Sequence, residues 1–238
     1  MTTRELSESS ARRLLVPLYV YPGTGQPDAW DRAAEHADRL AWVVFNPASG
    51  PGAGPQPEFT GAAARLRAVG VPLLGYVDTD YGRRSHHEVI GDIARYQDWY
   101  GVDGVFLDQV SSQADYLAYY RRLGVAARSL DAELVVLNPG VHPDPGYAEV
   151  ADVVITFEGS WEQYQRLRAP SWTTGFPARR FGHLVHSAPP EVCARIEELA
   201  RRHGAEYCYA TPGTGANPWS VLMPQLWAPG DGAAAEAC

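Results

Sequence analysis

The stretch Gly101–Ser112, GVDGVFLDQVSS, begins with apolar residues and ends on an acid, an amide and two hydroxyls. Its central part, residues 104–109, has the composition of a short buried strand. This strand would end on Asp108 and Gln109. Polar side chains at the end of an apolar strand are what a polar pocket above a dry core requires. Other strands around the same pocket should then end in the same way.

Eight short apolar stretches alternate with amphipathic ones. The predicted strands cover residues 14–21, 41–46, 72–78, 104–109, 133–138, 153–158, 182–187 and 206–211. The predicted helices cover residues 28–40, 59–70, 87–100, 114–130, 161–168 and 190–204. Eight alternations in a chain of 238 residues predict an α/β fold, a (β/α)8 TIM barrel. A doubly wound open sheet is the alternative, but YPGTGQP after the first strand lacks the glycine spacing of a dinucleotide site.

The pattern continues across the Pro/Gly-rich stretches, so we predict a single domain. The barrel would cover residues 14–227, between a polar N-terminal extension at 1–13 and a flexible tail at 228–238.

Composition and charge exclude several classes of function. The formal net charge is −8 and no basic cluster exceeds short arginine pairs, so nucleic acid is not an expected partner. No segment is long and apolar enough for a membrane span, and no signal peptide is evident. We expect a cytoplasmic protein as the sequence stands, or a secreted one if the chain is a mature fragment.

Cysteine and histidine give no sign of a metal site. The three cysteines are far apart, which predicts free thiols rather than a disulfide framework or a zinc site. The adjacent His86 and His87 do not share a helix face. We expect neither a metal nor an organic cofactor.

The carboxyl ends of the strands surround the active site in a (β/α)8 barrel. The predicted strands end on Tyr21, Asn46, Asp78, Asp108 with Gln109, Asn138, Glu158, His186 and Tyr209. Side chains alternate between the two faces of a strand. If Glu158 points into the barrel, Ile155 and Phe157 therefore face the helices. The same alternation turns Leu107 outward when Asp108 points inward.

Each of these residues also has a structural interpretation. A strand-end acid often caps the next helix, but Ser111 or Ser112 can do this after Asp108. The box Ser160–Gln163 can do it after Glu158. Both acids are thus available for chemistry.

The other strand-end residues stay open between binding and structure. Asp78 precedes a turn-forming stretch, and Asn46 and Asn138 each precede a proline and can start a turn. His186 can line the pocket or satisfy a hydrogen bond of the barrel. Nearby aromatic residues suit stacking on sugar rings but also core packing; they are Tyr21, Tyr76, Tyr81, Trp161, Tyr209 and Trp219.

Two carboxylates across a polar, aromatic-rich barrel mouth suit glycoside cleavage. One acid would protonate the leaving oxygen, which requires a raised pKa, and the other would stabilise or attack the sugar or activate water. We assign Asp108 and Glu158 as this catalytic pair. Asp108 is favoured as nucleophile or stabiliser and Glu158 as acid/base.

Six stretches of the chain together resemble the spherulin-4-like family. They are LLVPLYVYPG, VVFNPASGPG, GYVDTDYG, YGVDGVFLDQ, VVLNPG and ADVVITFEGSW. The resemblance runs from about Leu14 to Trp219 and implies a (β/α)8 barrel with endo-acting hydrolysis of α-1,4-linked N-acetylgalactosamine polymers. It places the family's acids on Asp108 and Glu158. The family's fungal enzymes have a second acid where this chain has Gln109, an amide that can hold a sugar but cannot donate a proton as an acid does.

The sequence therefore predicts a glycosidase acting on an amino-sugar polysaccharide. The predicted substrate-binding residues are Gln109, Tyr21, Asn46, Tyr76, Asp78, Asn138, His186, Tyr209 and Trp219. A carbohydrate-binding barrel without catalysis is one alternative, motivated by Gln109. A barrel enzyme with a small substrate is another, since this fold supports many reactions.

Overall fold

The computed structural model describes residues 13–24 and 28–223. Eight parallel strands form a closed barrel in chain order, and β8 pairs with β1. The strands are β1 (Leu14–Pro17), β2 (Leu40–Phe45), β3 (Leu73–Asp78), β4 (Gly104–Asp108), β5 (Leu134–Leu137), β6 (Val153–Ser160), β7 (Phe181–His186) and β8 (Tyr207–Ala210). The predicted (β/α)8 barrel is confirmed. The predicted tail and residues 1–12 of the predicted extension lie outside the described residues.

Helices connect the strands and form the outer layer. They are α1 (Ala29–Glu35), α2 (Pro57–Ala68), α3 (His86–Tyr100), α4 (Leu117–Ser129), α5 (Tyr147–Val150), α6 (Trp161–Tyr164), α7 (Pro190–Cys193) and α8 (Ile196–Arg202). Short 3-10 turns cover Asp80–Gly82, Ala114–Tyr116, Ser171–Gly175, Ala178–Arg180 and Pro218–Ser220. No helix within the described residues is long and apolar enough to cross a membrane.

The barrel strands are apolar on both faces because one face lines the barrel and the other meets the helices. On β3, a Cβ at Gly75 would overlap the ring of Tyr96, which belongs to α3. Gly75 therefore faces the helices, and Val105, which pairs with it on β4, does the same. The alternation then turns Asp108 towards the barrel axis, as the sequence predicts.

One register shift changes the prediction for β6. The pairing of β6 with β7 is irregular between Ile155 and Phe157. A Cβ at Gly182 would lie 2.8 Å from Ile155 Cδ1, so these two residues share a face. The next residue of β7, His183, bonds Tyr164 of α6 and therefore faces the helices.

Ile155 thus faces the barrel interior, and its predicted outward orientation is wrong. The extra residue at the bulge reverses the alternation and lets Phe157 still pack against α6.

The helix predicted over residues 190–204 is divided in two. α7 ends at Cys193, and α8 begins at Ile196 after Arg195, whose φ and ψ of −111° and 1° lie outside the helical region. Prolines at positions 189 and 190 fix the start of α7. α6 is also shorter than predicted, and α5 was not predicted.

Backbone hydrogen bonds hold neighbouring strand ends together at the barrel mouth. Thr79 N–H donates to Asp108 O at 3.0 Å, and Val110 N–H donates to Asn138 O at 3.0 Å. The loop after β5 continues this order, because Glu158 N–H donates to Gly140 O at 2.9 Å. Strands β3 to β6 therefore present their polar end residues in one row.

Candidate active site

One side-chain amide joins two carboxylates at the barrel mouth. Asn138 Nδ2 donates to Asp108 Oδ1 at 2.7 Å and also to Glu158 Oε2. These residues lie on β4, directly after β5 and on β6, so three neighbouring strands bring them together. Because both carboxylate oxygens bond the same nitrogen, they lie within roughly 6 Å of each other.

The environment of Asp108 acts on its carboxylate in two directions. Burial is the largest influence and raises its pKa above the ordinary value, and the charge of Asp78 adds to this. Hydrogen bonds from the Tyr76 hydroxyl, the Gln109 backbone and the Asn138 amide lower the pKa. The net pKa is raised, but three donors stabilise the ionised form.

Glu158 is set to carry a proton near neutrality. Burial, followed by the negative charge of Asp108, raises the pKa of Glu158 to about 7. Hydrogen bonds from Asn138 and from the Trp219 indole act in the opposite direction. Two adjacent carboxyl groups with different environments can thus hold one proton between them, which suits an acid paired with a nucleophile.

Asp78 and Gln109 form a second contact beside this pair. Asp78 lies opposite Asp108 in the pairing of β3 with β4. Its Oδ1 accepts from Asp80 N at 2.7 Å, which is a turn-forming role, and its Oδ2 accepts from Gln109 Nε2 at 3.3 Å. Gln109 has a φ of 49°, an uncommon conformation for a non-glycine residue.

Tyr19 belongs to the site, although the strand pattern of the sequence does not predict this. Burial raises its pKa well above the ordinary value, and the charges of Asp108 and Glu158 contribute. Its ring meets that of Tyr76 edge-on, with centroids 5.6 Å apart. The predicted first strand runs to Tyr21, whereas β1 ends at Pro17. A signal was present, since Pro17 interrupts the apolar run.

Tyr21 and Asn46 contact their surrounding loops and α2 rather than the carboxylate pair. Tyr21 is 44% exposed and meets Phe59 of α2 edge-on at 5.2 Å between centroids. Asn46 Oδ1 accepts from Gly50 N at 2.8 Å, which is the turn role that the sequence left open. Their predicted roles in substrate binding stay predictions.

Trp219, in the segment after β8, hydrogen-bonds Glu158, and residues of β7 and β8 contact Trp219. His186 meets Trp219 edge-on at 6.1 Å between ring centroids, and burial lowers its pKa. Tyr209 is fully buried beneath Trp219, and its hydroxyl accepts from Met223 N at 2.9 Å. This position gives Tyr209 a supporting contact to Trp219 instead of an open face for substrate.

Metal ligands do not cluster in the described part of the chain. Within residues 13–24 and 28–223, no group of three or more His, Cys, Asp or Glu side chains is placed to hold a metal ion.

The fold and site thus define a barrel with paired carboxylates at its mouth, the architecture of many glycoside hydrolases. The family model described as Spherulin4, spherulation-specific family 4, matches residues 13–228. The chain is 36% identical over 194 residues to Spherulin-4 of Physarum polycephalum. That match covers 76% of this chain but 57% of the relative, so the chain spans little more than half of its length. The chain belongs to the spherulation-specific family 4.

Solved structures show the same barrel. The chain is similar to Sph3 of Aspergillus clavatus, crystallised in complex with GalNAc, at 30% identity and a TM-score of 0.77. This match covers 90% of the chain and 94% of Sph3. The glycoside hydrolase domain of PelA from Pseudomonas aeruginosa has a TM-score of 0.50 at 16% identity, covering 89% of this chain and 98% of that domain, and shares the fold. The chain therefore shares its barrel fold with both structures.

Proposed function

We propose that this protein is a retaining glycoside hydrolase that cleaves polysaccharides containing α-1,4-linked galactosamine or N-acetylgalactosamine. The observation that carries the proposal is the bridge from Asn138 to both Asp108 and Glu158. The GalNAc complex of the similar Sph3 structure supports an amino sugar as the substrate.

The separation of the carboxylates favours retention of configuration. Retaining glycosidases have carboxyl groups ~5 Å apart, whereas inverting enzymes need roughly 6.5–9.5 Å to admit a water molecule. One amide nitrogen that bonds both groups keeps the two bonded oxygens within roughly 6 Å, which favours the shorter separation. Direct attack by a carboxylate on the sugar therefore fits this site.

The two carboxyl groups divide the chemistry. Glu158, with its raised pKa, donates a proton to the glycosidic oxygen as the bond between that oxygen and the anomeric carbon breaks. Asp108 attacks the anomeric carbon and forms a glycosyl ester. Glu158 then takes a proton from water, which cleaves the ester and restores Asp108 as a carboxylate.

The surrounding donors hold the pair in place. Asn138 also accepts from Gly140 N at 3.0 Å through its Oδ1, which fixes the orientation of its amide. The Tyr76 hydroxyl hydrogen-bonds Asp108 and stabilises its ionised form before attack and after the ester is cleaved. These contacts keep the carboxylate of Asp108 oriented for attack, and none of the proposed steps uses a metal ion.

A carbohydrate-binding protein without catalysis is the second candidate, favoured by Gln109. In this chain Gln109 donates to Asp78, whereas an acid at that position would place a further negative charge beside Asp78 and Asp108. The proposed reaction does not use an acid at that position, because Glu158 supplies the proton. The variant Gln109→Glu decides between the two functions. Hydrolysis that appears only in Gln109→Glu would support the binding protein.

The direct test is the release of reducing ends from partly acetylated α-1,4-galactosamine oligomers. We expect hydrolysis by the unmodified protein and a product that first appears with the α configuration, as observed by proton NMR. Initial formation of the β anomer would contradict retention. Binding without cleavage by the unmodified protein would contradict the enzymatic function.

A further inference from the structure

A pocket of about 400 Å3 lies beside the carboxylate pair and is not used by the proposed reaction. It is formed by the loops after β3, β4 and β5. We call it the Tyr81 pocket and define it by Tyr81, Arg83, Ser112, Gln113, Tyr116 and Val141. Its volume lies in the lower part of the range of small-molecule sites, which suits one or two sugar units.

The Tyr81 pocket borders the active site. Val110 lines the pocket and lies two residues after Asp108, and Pro139 lines it directly after Asn138. Tyr81 N–H donates to Gln109 O at 2.7 Å. The loops after β4 and β5 therefore carry both the carboxylate site and the pocket, so a polymer bound at the carboxylate pair has the pocket beside it.

The backbone holds Tyr81 in an unfavourable conformation. Asp80, Tyr81 and Gln109 have φ values of 45°, 55° and 49°, and such values are rare for bulky residues. Strain of this kind tends to occur where function requires a particular geometry. In this conformation the ring of Tyr81 is half exposed at the pocket, and the Arg83 guanidinium lies 5.7 Å from the ring centroid.

The lining combines apolar and hydrogen-bonding groups. The Tyr116 ring packs against the backbone of Gly82, so a second aromatic side chain supports the pocket. Within the described residues, neither the Ser112 hydroxyl nor the Gln113 side-chain amide has a protein hydrogen-bond partner. Both groups are available for ligand hydroxyl or acetamido groups.

The charge of the Tyr81 pocket differs from that of the active site. Its lining contains one guanidinium and no carboxylate, and Arg83 is paired with Asp80. The active site contains Asp78, Asp108 and Glu158. A cationic amino group therefore finds no carboxylate partner in the pocket lining. A neutral acetamido group can contact both the apolar and the hydrogen-bonding surfaces of the pocket.

We propose that the Tyr81 pocket is a remote sugar subsite that takes a neutral N-acetylated amino sugar, with the ring of Tyr81 as its stacking platform. The proposal rests on the function proposed above for its substrate. It adds that chain length and acetylation are recognised away from the cleaved bond.

The test uses the full chain and a series of N-acetylgalactosamine oligomers of increasing length. Tyr81→Asn removes the ring and keeps a residue that tolerates a positive φ, and Tyr81→Phe keeps the ring. Val125→Ala, on exposed α4 surface, is the matched control. We expect Tyr81→Asn to lower kcat/KM about tenfold on long oligomers and to leave the shortest cleaved oligomer unaffected. Deacetylation of long oligomers should lower kcat/KM less in Tyr81→Asn than in the unmodified protein.

Other outcomes separate this subsite from the proposed function. Equal kcat/KM values for Tyr81→Asn and the unmodified protein at every length, or equal losses at every length, would overturn the subsite. If the unmodified protein cleaves none of the oligomers, the proposed function fails. Titration calorimetry with the longest oligomer then tests the subsite by binding alone. Binding lost in Tyr81→Asn and kept in Tyr81→Phe supports the subsite, and any other binding result overturns it. If Tyr81→Asn does not fold, Gln113→Ala replaces it in the same assays.

Discussion

Asp108 and Glu158 accept hydrogen bonds from the same nitrogen, the side-chain amide of Asn138. Two carboxylates at such a distance do not ionise independently, because the charge on one raises the pKa of the other. The raised pKa of Glu158 reflects this, with burial as the larger cause. The ionisation of the two carboxyl groups is therefore coupled. A change that shifts their pKa values should also change the pH dependence of hydrolysis.

Removal of either carboxyl group should abolish most hydrolysis. We expect Asp108→Asn and Glu158→Gln each to lower kcat by about 10²–10⁴, the range for a lost acid or base. The measurement is release of reducing ends under saturating substrate. Glu162→Gln is the control, since the Glu162 side chain is 74% exposed on α6. Wild-type rates in both active-site variants would show that the catalytic residues lie elsewhere.

The pH profile should be bell-shaped. Glu158 must be protonated to act as the acid, so kcat/KM should fall as pH rises through about 7. Asp108 must be ionised to attack, so the rate should also fall at acidic pH, and its raised pKa moves this limb upward from the ordinary range of aspartate. Rates measured across pH with one oligomer check both limbs. If the residual activity of Glu158→Gln still falls at alkaline pH, a group other than Glu158 causes the alkaline limb.

Asn138→Ala should shift this profile as well as lower the rate. The Asn138 amide stabilises the ionised forms of both carboxyl groups, so its loss raises both pKa values. We expect both limbs to move to higher pH and kcat to fall because the carboxyl groups are less well oriented. A lower rate with unchanged limbs would give Asn138 a structural role only. Gln165→Ala is the matched control, because that exposed side-chain amide at the end of α6 donates to Trp161 O.

The sequence predicts the barrel well because parallel strands buried on both faces read as apolar runs with polar ends. It also selects Asp108, Glu158 and Asn138, which the structure brings together. A linear pattern does not show the bulge in β6, so Ile155 was assigned to the wrong face.

The sequence does not predict the end of β1 or the break in the last helical region, for a different reason. Local composition predicts β1 beyond Pro17, and the earlier end brings Tyr19 to the carboxylate pair. The periodicity over residues 190–204 continues through the break between α7 and α8, so it gives no sign of two helices.

Gly104→Ala should destabilise the barrel. An added Cβ at this position would overlap the backbone oxygen of Leu134 on β5 and lie 2.9 Å from Leu74 Cδ2 on β3. Neither the backbone nor a fully buried leucine can move freely, so we expect a loss of about 1–3 kcal/mol in the free energy of unfolding. Urea unfolding measures this change. Gly54→Ala is the control because a Cβ there has no heavy atom within 4 Å among the described residues, and equal stability of both variants would contradict the packing.

The buried His183 should make stability depend on pH. Its side chain is fully buried between β6 and α6, where Nδ1 meets Tyr164 Oη at 2.9 Å and Nε2 meets Thr156 Oγ1 at 3.1 Å. Burial is the main cause that lowers its pKa from the ordinary 6.5 to about 3, and His203 and His142 contribute.

The folded protein therefore resists protonation of His183, whereas the unfolded chain accepts a proton below pH 6.5. Stability from this group is present above pH 6.5 and is lost as pH falls towards 3, at up to about 1.4 kcal/mol per pH unit. His183→Gln should be less stable at neutral pH but show a shallower loss over this window. Urea unfolding at a series of pH values gives both slopes, with His87→Gln on the exposed start of α3 as the control. Parallel slopes for His183→Gln and the unmodified protein would show that other groups cause the acid sensitivity.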